Sequence, residues 1–216
     1  LGTVKEVMDL EPFADKWRAF GWVVREIDGH SLDEIQAALE QIQRHSGNSR
    51  ISLLLADLSS QPSIRRLAAE FEAGDPALHI LVNNAGANWG EPMESFPDAA
   101  WDRVLGLNVK AIFNLTRRLV PSLEAAGSPG DPARVINIGS IDGIKPPALE
   151  TYAYSASKAA VHHMSRVLAA KLAPRNITVN AVAPGVVLSP RVSVLHLSLI
   201  HISEPTRRYA ISYAGF

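Results

Sequence analysis

The sequence predicts an α/β protein built on a doubly wound, mostly parallel sheet, and two observations carry that prediction. First, four near-continuous apolar runs recur along the middle of the chain: ISLLLADL (51–58), HILVNNAG (79–86), RVINIGS (134–140) and ITVNAVAPG (177–185). Such runs suit strands covered on both faces. Second, the stretches between them, PSIRRLAAEFEA, DAAWDRVLGLNVKAIFNLTRRLVPSLEAA and ETYAYSASKAAVHHMSRVLAAKLA, repeat their apolar residues with helical spacing. Alternating strand and helix imply right-handed crossovers, with ligands bound at the carboxyl ends of the strands.

Taken in order, the chain falls into three stretches. In residues 1–41, Pro12 can open a helix over FADKWRAF, Gly21 closes it, and WVVREI forms a short β-like run. Ser31 then caps SLDEIQAALEQIQ, with Glu34 placed for a capping box. Residues 42–187 hold the strand–helix repeats, and GSPGDPA (127–133) reads as a surface turn. Residues 188–216 keep neither the strand nor the helix period and are expected to be an irregular tail.

Composition narrows the function. The chain has 21 basic and 22 acidic side chains, so no charge excess draws it to nucleic acid or anionic lipid. Cysteine is absent, which excludes disulfides and thiolate sites. No apolar run approaches the roughly 20 residues of a membrane span, and the first residues lack a leader's apolar centre. The expectation is a soluble cytoplasmic enzyme domain. His162-His163 has no third ligand near it in sequence and is not read as a metal site. Trp17, Trp22 and Trp101 read as packing residues, and Arg65-Arg66 and Arg117-Arg118 as solvated helix faces.

The strongest chemical signal is Tyr154-Ser-Ala-Ser-Lys158, which puts a phenol and an ammonium on one face of a helix. A cation a few ångströms from a phenol favours the phenolate and tunes it for proton transfer. Alone, such a pair is common by chance. Ser140 ends the run RVINIGS, where a hydroxyl can face a ligand crevice or simply cap a turn. In NNAG, Gly86 allows close backbone approach, and the Asn amides can tie strands together or form an Asx-turn. Asn108 is an unusual residue for a helix interior, placed either facing solvent or beside a bound water.

Together these residues resemble the short-chain dehydrogenase/reductase family over about residues 42–187. Asn108, Ser140, Tyr154 and Lys158 match its catalytic tetrad in order and spacing. The stretch INIGSIDGIKPPALETYAYSASKAAVHHMSRVLA is most similar to 3-oxoacyl-(acyl carrier protein) reductase-like members, including those of rhamnolipid synthesis and the gluconate 5-dehydrogenase-like branch. The resemblance implies a Rossmann-like sheet and an NADP or NAD cofactor. Asp57 and Leu58 would lie at the adenine, Asn84, Ala85 and Gly86 beside the cofactor, and Pro184, Gly185 and Val187 at the nicotinamide end, with Tyr154 and Lys158 completing the site. It implies that Tyr154 is the general acid or base and that Lys158 lowers its pKa and holds the nicotinamide ribose. Ser140 would polarise the carbonyl, and Asn108 would hold a water in a proton relay. The implied partner is a small carbonyl or alcohol, such as an acyl carrier protein-linked one, and the implied assembly is a homotetramer.

Two flanks depart from that pattern. The family's opening strand and Gly-rich turn are missing, since no G-x-x-x-G-x-G occurs in the chain, so the expected sheet is truncated. Residues 1–40 resemble a segment of the N-terminal half of bacterial transketolases, without a thiamine-diphosphate motif. LHLSLIHISEPTRRYAISYAGF (195–216) resembles translated sequencing-adapter read-through. The leading reading is therefore an NAD(P)-dependent oxidoreductase. The alternatives are a silent chimeric fragment that binds no cofactor, and a piece of a thiamine-dependent transferase.

Overall fold

The computed structural model describes residues 31–47, 52–74, 76–189, 192–198 and 210–211, with side chains up to residue 185. The helix expected over 13–20 and the strand expected over 22–27 lie outside these residues. The chain divides into two compact units, residues 1–55 with 188–196, and residues 56–187 with 197–216.

In the first unit, helix α1 (Leu32–Ser46) begins where its cap predicts. Ser31 has extended backbone, and its Oγ accepts from the Glu34 N–H at 3.3 Å. Asp33 and Glu34 in the first turn and Arg44 and His45 in the last complement the helix dipole. Gly47, at φ 66°, supplies the left-handed residue that ends it.

The second unit holds α2 (Gln61–Gly74), β1 (Ile80–Asn83), α3 (Asp98–Leu105), a π turn (Gly106–Ala111) and α4 (Ile112–Ala126). β2 (Ala133–Ile138), α5 (Tyr152–Leu172) and β3 (Ile177–Val182) follow. The strands β1, β2 and β3 are parallel and adjacent in that order, with Asn83 beside Asn137 and Val135 beside Val179. This is the Rossmann-like parallel sheet that the alternating pattern predicts. On one face, Val135, Ile177 and Val179 pack against Val120 and Leu123 of α4 and Ala169 and Leu172 of α5. Helix α2 extends this layer by packing Ile64 and Ala68 against Leu115 and Leu119.

Three expectations need correction. ISLLLADL is not a strand: residues 52–57 have no regular structure, and Leu55 is 52% exposed. A strand needs a neighbour to satisfy its backbone groups, and among the described residues β1 pairs with β2 alone. Nor is β1 covered on both faces. Leu81 points into the layer of helices, while Ile80 and Val82 on the other face are each 52% exposed. The tail is not wholly irregular: β4 (Gly185–Ser189) and β5 (Val192–Ser198) form a two-stranded sheet. β6 (Ala210–Ile211) pairs antiparallel with β3, which gives the backbone edge of Ala181 and Val182 a partner.

A chain of buried side-chain hydrogen bonds ties the helices to the sheet. Asn83 Nδ2 donates to Thr116 Oγ1 on α4 (3.2 Å) and to Asn137 Oδ1 on β2 (2.8 Å). Asn137 Nδ2 donates in turn to Ser165 Oγ on α5 (2.9 Å). The first Asn of NNAG thus ties strands together, as its amide allows. Asn137→Leu keeps a branched side chain of similar reach but leaves one Asn83 amide proton without its acceptor and Ser165 Oγ without its donor, while Asn83–Thr116 and Ser165–Val161 remain. At about 1–3 kcal/mol per unpaired buried group, the loss should be roughly 2–4 kcal/mol. Urea denaturation measures it, and a variant within half a kcal/mol of its parent would contradict the network.

Candidate active site

The site forms where β2 ends. The Gly139 N–H donates to the Val182 carbonyl (2.7 Å) and the Ile141 N–H to the Pro184 carbonyl (2.9 Å). Ser140, extended between them and 4% exposed, turns its hydroxyl toward two partners. Its Oγ accepts from the Asp142 N–H at 3.1 Å, capping the short turn Ile141–Gly143, and the hydroxyl also acts on the Tyr154 phenol, opposing a rise in its pKa. The cap and the site are therefore the same residue, because one hydroxyl can accept and donate at once.

Tyr154 and Lys158 share a face of α5, as their spacing predicts. Lys158 is 5% exposed, and its Nζ lies 5.5 Å from the Tyr154 ring centre. The ammonium donates to the Ile138 carbonyl at 2.7 Å, the last residue of β2. Here the structure departs from the expected electrostatics. Burial raises the Tyr154 phenol above its ordinary value; the Ser140 hydrogen bond opposes this and the Asp142 charge adds to it. The Lys158 charge is tied to a backbone carbonyl and lies 5.5 Å from the centre of the Tyr154 ring. Burial pulls Lys158 itself below the usual lysine range. Above its ordinary value, the phenol keeps its proton at neutral pH.

Asn108 sits inside the π turn Gly106–Ala111 that joins α3 to α4. One wide turn within a helix is a frequent device at functional sites, because it redirects a side chain and loosens the backbone ladder. Asn108 is 1% exposed. Its Oδ1 accepts from the Ala87 N–H (2.7 Å), and its Nδ2 donates to the Ala87 carbonyl (2.9 Å) and to Ser157 Oγ (2.9 Å). Both amide protons are used within the protein, so this side chain fastens the turn after NNAG rather than donating to a water. Gly86 completes the arrangement. A Cβ there would stand 3.1 Å from Asn108 Oδ1 and 3.9 Å from Lys158 Nζ, so only hydrogen leaves the space beside the lysine clear.

The remaining predicted residues surround this centre or stand at the other strand ends. Asn84 and Ala85 follow β1 directly and are exposed. Pro184 anchors Ile141 through its carbonyl, Gly185 packs near the Ile141 side chain, and Val187 is in β4. Asp57 is fully exposed in a turn, accepting from the Ser59 N–H (2.9 Å) and Oγ (2.6 Å), while Leu58 packs against the α2–α4 cluster. Sequence reasoning missed Ser157, whose partner Asn108 was a candidate, and Asp142, whose charge acts on Tyr154. It also passed over His162, 4% exposed behind Ser140. Its spacing of four from Lys158 was the available signal. Among the described residues there is no group of three metal-ligating side chains, and no helix is long and apolar enough to cross a membrane.

Comparison with known proteins supplies the family. The short chain dehydrogenase profile matches residues 21–196. That match takes in residues 21–40, part of the stretch expected to be transketolase-like, so the comparisons place them with the dehydrogenase core instead, and it runs past 187. The rhamnolipids biosynthesis 3-oxoacyl-[acyl-carrier-protein] reductase of Pseudomonas aeruginosa is 43% identical over 152 residues, 70% of this chain and 59% of that protein. The chain thus spans about three-fifths of that relative's length. A Pseudomonas aeruginosa RhlG/NADP active-site complex superposes with a TM-score of 0.65 at 42% identity, covering 72% of this chain and 61% of that one. L-sorbose reductase from Gluconobacter frateurii, complexed with NADPH and L-sorbose, gives a TM-score of 0.66 at 28% identity, covering 74% and 59%. With the sheet, the strand-end serine and the Tyr–Lys helix in place, the chain belongs to the short-chain dehydrogenase family.

Proposed function

We propose that the chain transfers hydride between a nicotinamide dinucleotide, NADP(H) or NAD(H), and a ketone or alcohol, with 3-oxoacyl thioesters as the substrate class. The observation that carries this reading is the strand-end Ser140, whose hydroxyl acts on the Tyr154 phenol, with Lys158 buried 5.5 Å from the phenol's ring. When bound, the nicotinamide supplies or accepts the hydride. The residues present fit the nicotinamide-ribose end, because Gly86 leaves a cradle bounded by Asn108 and Lys158. At the pyrophosphate end we assign no residue, since no Gly-rich turn occurs in the sequence.

In the reducing direction the Tyr154 hydroxyl gives its proton to the carbonyl oxygen, and in the oxidising direction it takes that proton back. Ser140 Oγ holds the same oxygen and aligns it with the phenol. Lys158 keeps a positive charge beside the phenolate left after transfer and reaches toward the ribose. Asn108 fixes the turn at Ala87 that forms the wall of the cradle. The relatives named above support the substrate class, as does an apolar cavity of about 710 Å³ lined by Met93, Phe96, Trp101, Leu149, Tyr152 and Ser155. Tyr152 and Ser155 bring it to the first turn of α5, the helix that carries Tyr154. Phe113 and Val167, exposed on α4 and α5, support a homotetramer joined through these helices.

The test is a calorimetric titration with NADPH and NADH, followed by oxidation of NADPH in the presence of a 3-oxoacyl thioester. The reading expects saturable binding and a rate that depends on Tyr154; binding without turnover of any ketone would overturn it.

A further inference from the structure

The backbone that carries Ser140 is held at every step. Lys158 Nζ takes the Ile138 carbonyl at 2.7 Å, the Gly139 N–H goes to Val182, and the Ile141 N–H goes to Pro184. The remaining donor, the Ser140 N–H, goes to Nε2 of His162 at 3.4 Å. Lys158 and His162 stand four residues apart on α5, one above the other on the same face. They grip neighbouring peptide groups of one strand end, the lysine as donor and the histidine as acceptor. The ring lies flush against that backbone: a Cβ on Gly139 would fall 2.1 Å from Nε2.

We infer that His162 is a positioning residue for Ser140, a neutral imidazole that accepts the Ser140 N–H and so fixes the serine hydroxyl opposite Tyr154. The inference rests on the proposed role of Ser140, but the contact itself does not. To accept at Nε2 the ring must carry its proton on Nδ1. An imidazolium would present a second donor to the Ser140 N–H, and the contact would become repulsive. The surroundings favour the neutral ring. Burial lowers its pKa first, and the charges of Lys158 and Arg166 on its own helix add to that. From the sheet side it meets the Gly139–Ser140 backbone. The acid that follows in the chain, Asp142, bears on Tyr154. Because the folded pKa lies below the ordinary 6.5, the grip is intact at neutral pH and is lost as pH falls through that lowered value.

The experiment uses the full chain labelled with nitrogen-15. Long-range proton–nitrogen spectra should show His162 as the Nδ1–H tautomer at neutral pH, titrating below 6.5. In His162→Leu, hydrogen exchange at the Ser140 amide should accelerate about tenfold, the equivalent of one ordinary hydrogen bond. His162→Gln, which offers an acceptor oxygen at similar reach, should restore it. In kinetics, His162→Leu should lower kcat with little change in the KM for dinucleotide. The Gln variant should recover kcat and lose the acidic limb of the pH profile. An Nε2–H tautomer in the parent chain, or unchanged Ser140 exchange in the Leu variant, overturns the inference even if the enzyme is active. Should the spectra and exchange behave as stated while no ketone is reduced, the proposed function fails and the positioning contact stands.

Discussion

Tyr154→Phe should reduce turnover by about 10²–10⁴-fold while leaving the fold intact, the largest catalytic loss expected of any single change in this chain. The substitution keeps the ring, so its packing over Lys158 at 5.5 Å survives and only the hydroxyl is removed. What disappears is the hydroxyl on which Ser140 acts and the proton that a carbonyl oxygen would receive. Dinucleotide affinity should hardly change, because the ribose contacts assigned to Lys158 and the Gly86 cradle do not involve the phenol. Steady-state kinetics with NADPH and a ketone checks this as a fall in kcat at constant KM. A variant within threefold of its parent would remove Tyr154 from the mechanism. The same pair of proteins tests the electrostatics. Burial holds the Tyr154 phenol above the ordinary value of 10.0. A tyrosinate absorbance difference between parent and Tyr154→Phe should therefore show a phenol that ionises on the alkaline side of that value. A midpoint on the acidic side would mean that Lys158 reaches the oxygen after all.

The parts of this site legible in the sequence are those fixed by local spacing. Tyr154 and Lys158 fall on one helix face because the α-helical repeat brings residues four apart together. Ser31 and Glu34 announce the start of α1 for an equally local reason. NNAG, RVINIGS and ITVNAVAPG show their strands through apolar content that any neighbour would have to cover. What stayed hidden depends on partners far along the chain. ISLLLADL has the composition of a strand, but composition does not provide the neighbour that would pair with it. Asn108 looked out of place in a helix, and it was; nothing local told that the helix widens to a π turn around it, or that both amide protons would go to Ala87 and Ser157. The electrostatics were hidden for the same reason. Spacing puts Lys158 near Tyr154, but only the position of the Ile138 carbonyl decides where the ammonium points. His162 shares the helical spacing of Lys158 and was weighed only as a metal ligand, which the lack of a third ligand nearby set aside. Its Ser140 contact arises from the close approach of β2's end to α5, which small residues at Gly139 and Gly143 permit.

That close approach yields the largest structural effect. Gly143 ends the short turn after Ser140, and its backbone lies directly on α5. A Cβ there would meet the Lys158 carbonyl carbon at 2.5 Å, the Ala159 nitrogen at 2.6 Å and the Lys158 oxygen at 2.9 Å. Those atoms belong to helix backbone, so no side-chain rotation relieves the contact and either the turn or the helix must shift by most of an ångström. The neighbours resist both movements. The turn is fixed through Ser140, whose Oγ accepts the Asp142 N–H, and through Ile141, whose N–H is held by Pro184. The helix is fixed through Lys158 on Ile138 and Ser165 on Asn137. Overpacking against side chains costs about 1–3 kcal/mol, and the figure rises when backbone must yield. Gly143→Ala should therefore lose at least about 3 kcal/mol, a large share of a domain's total of roughly 5–15. Because the displaced turn of α5 is the one that carries Lys158, turnover should fall as well, by tenfold or more for an ångström of misplacement. Gly130→Ala, on a surface turn where a Cβ meets nothing within 4 Å, is the control and should stay within half a kcal/mol of the parent. Urea denaturation of the two variants side by side decides the matter: equal midpoints would show that turn and helix are not pressed together as their backbones indicate.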